Sequence, residues 1–211
     1  MRAQPVLLTG LLGLVAFVPA RLEKGAVELT IPPAAGAGEV RLELRVSAAG
    51  DVSAVDALLE TPPYSERLRA ATSSWLFTPA REGGQAVPSR VLVAAVIRPP
   101  VLLLPGGAGE PPKEVGRPSL EAPAPTDVVT PPYPPGARGD GLVVVEVEIS
   151  AEGRVTAARL VRPAPGFDEA ALGTARSWRF RAAQLGGRSV PAVAYLLFGF
   201  REPVTPPVPR R

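Results

Sequence analysis

Val143-Val144-Val145-Glu146-Val147-Glu148-Ile149-Ser150-Ala151-Glu152-Gly153-Arg154-Val155 has a weaker counterpart upstream, Val40-Arg41-Leu42-Glu43-Leu44-Arg45-Val46-Ser47-Ala48-Ala49-Gly50-Asp51-Val52. In both, apolar residues alternate with charged ones, the period of two expected of a strand with one buried face. Each stretch then reaches a glycine, Gly50 or Gly153, where a tight hairpin needs a residue that accepts positive φ. A hairpin is therefore predicted twice, with its second strand starting at Val52 and at Val155. The offset of 103 residues also superposes Trp75 on Trp178, Phe77 on Phe180, Ala80 on Ala183, Gly83-Gly84 on Gly186-Gly187 and Val87-Pro88 on Val190-Pro191, with no gap across 40–97. Shared Ala and Val bias does not place paired Trp, Phe, Gly-Gly and Val-Pro in one register, so the chain carries an internal duplication.

Working outward, each hairpin is followed by a helical pattern. Asp168 and Glu169 suit the positive end of a helix dipole and Arg176 the negative end, while Leu172, Ala175 and Trp178 share one face. Leu68, Ala71 and Trp75 take the corresponding places upstream. Both tryptophans are read as seals between helix and sheet. Beyond the Gly-Gly turns, 90–97 and 193–200 read as closing strands. The fold class is α+β: two tandem modules, each a three-stranded antiparallel sheet packed against one helix.

Between and around the modules the composition changes. The 211 residues include 27 prolines and 21 glycines, far above ordinary globular usage, and the prolines cluster at Pro99-Pro100, Pro111-Pro112 and Ala122-Pro123-Ala124-Pro125. Residues 26–98 and 132–202 are assigned to the modules, 99–131 to an extended Pro/Gly-rich linker and 203–211 to a disordered tail. At the N-terminus, a positive start, an uncharged apolar run over 6–18 and small Ala20 match a secretory signal cleaved after Ala20, or else a short membrane anchor over 1–20. Either places the modules outside the cytoplasm.

Composition also excludes function classes. The chain has no Cys and no His, which removes thiol chemistry, disulfides and the usual metal ligands and general bases. No Gly-rich phosphate loop or well-spaced carboxylate pair is present, so catalytic, cofactor-binding and metal-binding residues are all read as none. The net charge of +3 comes from scattered Arg, with no basic stripe beside aromatics, so nucleic acid is not expected as a partner. Arg138-Gly139-Asp140 spells an adhesion tripeptide, too short to carry weight.

The second module, from Pro132-Tyr133-Pro134-Pro135-Gly136-Ala137-Arg138 through Phe167-Asp168-Glu169-Ala170-Ala171-Leu172 and Ser177-Trp178-Arg179-Phe180 to Phe198-Gly199-Phe200, resembles the C-terminal domain of TonB proteins. The first resembles it through Trp75-Leu76-Phe77-Thr78-Pro79-Ala80 but lacks the opening Tyr-Pro. The resemblance implies a periplasmic domain that grips extended segments of outer-membrane receptors by adding them to a sheet edge. The expected edge is Val193, Ala194, Tyr195, Leu196, Leu197, Phe198, Gly199 and Phe200; these residues could equally fill a core or pair two copies in a homodimer. Energy transducers of this kind engage the motor proteins ExbB and ExbD through a membrane helix bearing a histidine, and this sequence has none. Two readings stand: a TonB-like transducer or adaptor, or an envelope-assembly protein whose two modules bridge partners without energy transduction.

Overall fold

A computed structural model of the chain describes residues 16–25, 36–97 and 111–202. In the first repeat, β1 (Gly38–Val46) and β2 (Val52–Glu60) make the hairpin, α1 (Tyr64–Thr72) follows, and β3 (Ser89–Ile97) closes. In the second, β4 (Gly141–Ile149), β5 (Val155–Arg162), α2 (Asp168–Ser177) and β6 (Ala192–Phe200) recur at the same spacing. Gly153 has φ +80°, and a Cβ there would run into the carbonyl of Phe180, whose N–H donates to the Gly153 carbonyl at 3.0 Å. Gly50 has the same relation to Phe77, with the bond at 2.8 Å. Each hairpin glycine thus ties its turn to the strand after the helix, which is why only glycine fits.

The two repeats do not form two separate sheets. They join in one seven-stranded sheet of order β5-β4-β6-β3-β1-β2, with Lys113–Glu114 added outside β2. All neighbours are antiparallel except β6 and β3, which run parallel from Ala194 beside Leu92 to Gly199 beside Ile97. Residues 91–97 and 192–200 are buried throughout, because successive side chains enter cores on opposite faces. Val91, Val93, Ala95 and Ile97 join Leu42, Leu44, Leu68 and Trp75 on one face; Leu92, Ala94 and Val96 join Val145, Val147, Ala175 and Trp178 on the other. A half-turn along the parallel pair relates the repeats, so α1 and α2 cover opposite faces.

The expected extents change accordingly. Ala124–Asp127 pairs with Arg179–Arg181, as Arg21–Lys24 pairs with Leu76–Thr78, again 103 residues apart. One step earlier, Leu120 accepts a hydrogen bond from the Gln184 N–H at 2.9 Å, while Phe17–Val18 pairs with Arg81 and Glu82. Paired strands therefore extend upstream of both expected module boundaries, and within 111–131 Lys113–Glu114 and Ala124–Asp127 pair with the fold. Ala20, the expected cleavage point, is a core residue 2% exposed. Residues 1–15, 98–110 and 203–211, which carry most of the expected leader, part of the linker and the tail, lie outside the described residues. Among the described residues no helix is long and apolar enough to cross a membrane.

Candidate functional site

The strand expected to be an open edge is enclosed on both sides. Val193–Phe200 is hydrogen-bonded to β4 on one side and to β3 on the other, and all eight residues are buried. Its reading as an edge is corrected by the duplication itself: β3 fills the side that an added segment would take. Continuous apolar runs, Val91 to Ile97 and Ala192 to Phe200, are the pattern of strands covered on both faces, and that signal was present in the sequence.

Two carboxylates at the same repeat position mark how the halves interlock. Glu146 is fully buried and receives Arg21 Nη1 at 2.6 Å, Arg159 Nη2 at 2.7 Å and the Tyr195 hydroxyl at 2.9 Å. Tyr195 in turn accepts the Leu22 N–H at 2.6 Å, and Arg21 also pairs with Glu148. In the first repeat Glu43, 2% exposed, receives Arg90 Nη1 at 2.6 Å and the Ser119 N–H at 2.9 Å. The segment leading each repeat thus lies over the buried glutamate of the other. The alternating charges at 43 and 146 suggested solvent; each is instead capped by a segment whose polar groups satisfy it, as burial of a carboxylate requires. Burial pushes the Tyr195 hydroxyl well above the ordinary phenol value; the Leu22 N–H acts against that rise and the Glu146 charge adds to it.

Strand edges remain at the two ends of the sheet. At one, Lys113–Glu114 pairs with Glu60 and Leu59, and Val115 N–H donates to Leu58 at 3.1 Å. At the other, β5 pairs only with β4 among the described residues. Thr156, Ala157 and Val161 are exposed there, while the Arg162 guanidinium turns back onto the Leu142 carbonyl. An edge strand offers unpaired N–H and C=O groups to an extended segment. Arg159 and the register shift beside Val161 are features that limit indiscriminate pairing along it.

Other residues singled out in the sequence have structural places. Trp75 and Trp178 are buried, and Trp178 Nε1 donates to the Val129 carbonyl at 2.9 Å. Trp75 stands 5.5 Å from the Tyr195 ring, edge-on, so a tryptophan of one repeat packs on a tyrosine of the other. The buried face of α2 is Ala171, Thr174 and Ala175, with Leu172 half-buried at its border. The Arg138-Gly139-Asp140 segment is engaged internally: Gly139 N–H donates to Glu202 and the Glu202 N–H to Asp140.

No curated protein matches the chain. Residues 129–201 match the family described as the Gram-negative bacterial TonB protein C-terminal domain. The match begins two residues after the Ala124–Asp127 strand and ends just after β6, so it covers the hairpin, helix and closing strand of the second repeat and leaves the first outside it. By this match and by its hairpin, helix and closing strand, the second repeat, residues 129–201, is similar to the TonB C-terminal domain.

Proposed function

We propose that the protein is a TonB-like binding protein of the cell envelope that docks extended segments of partner proteins, outer-membrane receptors among them, by strand addition at β5. The observation that carries this reading is that β5 has its whole outer side unpaired among the described residues, whereas the strand at the other end of the sheet, β2, is partly covered, at Leu58–Glu60, by Lys113–Val115. Docking at Val193–Phe200 would first require β3 to leave. That would expose Val193, Tyr195 and Leu197 on one face and Leu92, Ala94 and Val96 on the other, at a cost on the order of 10 kcal/mol. A domain's whole stability is of that order, so β3 is a permanent occupant.

The first repeat, in this reading, is a divergent TonB C-terminal-like module that has become part of the second module's fold. It is not a second, independently tethered binder. Bridging by two separate modules loses support, because avidity requires both to be free to engage. A docking role without energy transduction fits the lack of histidine, the residue through which related transducers engage ExbB and ExbD.

Hydrogen exchange on the full chain, with and without synthetic peptides copied from the periplasmic segments of outer-membrane receptors, tests the proposal. New protection over Val155–Val161, with Val193–Phe200 already protected in the free protein, is the expected result. Protection gained instead at Val193–Phe200 would mean that β3 is displaced, and no protection with any peptide would remove strand addition as the function.

A further inference from the structure

Where the two closing strands begin, the seam between the repeats opens into a cavity of about 400 Å³. Its position follows from the duplication: Pro88 and Pro191, equivalent residues just before β3 and β6, both line it. Prolines carry no N–H, so these two positions add no backbone donor to the wall. Phe17, Val46, Leu185 and Val190 supply further apolar wall, and small Ala48, Ala183 and Ala192 leave the space unfilled.

The polar groups gather on one side, around Arg90. Its Nη1 is held at 2.6 Å by Glu43, which is buried and permanent. Its Nε meets Glu121 at 2.7 Å, a carboxylate whose side chain is 61% exposed. An exposed ion pair is weak and readily exchanged, and guanidinium geometry favours a carboxylate in that position. Glu121 therefore occupies the place that an incoming carboxylate would take, at the mouth of an apolar chamber of the size that accommodates small ligands.

We propose that this cavity is a binding site for a small amphiphilic monocarboxylate, with its apolar body between Pro88 and Pro191 and its carboxylate on Arg90 in place of Glu121. The site is independent of the β5 edge and does not depend on strand addition.

The test is calorimetric titration of the full chain with decanoate, kept below its aggregation concentration, beside decan-1-ol. Decanoate should bind with one molecule per chain, and decan-1-ol about tenfold more weakly because it cannot replace the Glu121 charge. Glu121→Gln should tighten decanoate binding by removing the competing carboxylate. Ala48→Trp, at an exposed position on the rim, should abolish it while leaving the fold intact, as judged by an unchanged far-ultraviolet spectrum and thermal-unfolding midpoint. Absence of decanoate binding, or binding that is indifferent to both substitutions, would overturn the proposal.

Discussion

Tyr195 joins a repeat-to-repeat aromatic contact to a buried charge. Its ring meets Trp75 and Phe77 of the first repeat, at 5.5 and 6.0 Å, and its hydroxyl links Leu22 of the leading segment to Glu146 of β4. Tyr195→Phe keeps the ring but leaves both the Leu22 N–H and one Glu146 oxygen short of a partner, so it should cost about 2 kcal/mol in denaturant unfolding. The folded-state pKa is raised above the ordinary phenol value near 10, so the stabilisation is complete below about pH 10 and declines as the pH rises above it. The wild-type chain should therefore lose stability in that alkaline range faster than Tyr195→Phe does. Equal slopes for the two proteins would show that the hydroxyl ionises as freely when folded as when unfolded. None of this was legible at residue 195 in the sequence, where Tyr195 reads as one residue of a docking edge or of a core; its partners come from residues 22 and 146, which no local pattern connects.

Elements divide by the kind of signal that specifies them. The hairpins were legible because side chains define them: alternation selects the faces and Gly50 or Gly153 the turn. The leading strands Arg21–Lys24 and Ala124–Asp127 were not, because they are held by backbone pairing to Leu76–Thr78 and Arg179–Arg181, which needs no particular side chains. Arg-Leu-Glu-Lys and Ala-Pro-Thr-Asp occupy the same place with nothing in common. The closing strands lie where expected along the chain but inside the sheet and not at its edge, as their two uninterrupted apolar runs require of strands covered on both faces. A chain beginning at Arg21 loses the Phe17–Val18 strand, which packs Phe17 against both cores, together with buried Ala20. It should be less stable than a chain beginning upstream of Phe17 by about 2 kcal/mol. Matched thermal unfolding of the two chains measures this, and identical midpoints would show that the segment adds nothing to the fold.

For the molecule as a whole, the decisive fact is that neither core belongs to one repeat. Leu142, Val144, Val193, Tyr195 and Leu197 complete the core under α1, while Leu92, Ala94 and Val96 complete the one over which α2 lies. Calorimetry should therefore record a single cooperative transition, with van't Hoff and calorimetric enthalpies equal. Two resolved transitions would mean that the repeats melt as separate domains. Duplication usually suggests two copies of a function, yet here the closing strand of each copy occupies one side of the other. The parallel pairing of β3 with β6 also sets a timetable. The paired residues are roughly a hundred positions apart, so β3 leaves the ribosome long before the strand that will cover its side exists. Contacts of such separation are slow to form, and an uncovered apolar strand is prone to aggregate in the interval. Interrupted synthesis would thus release a fragment that is sticky rather than merely shorter, and each half acts during biogenesis as the folding partner that the other lacks.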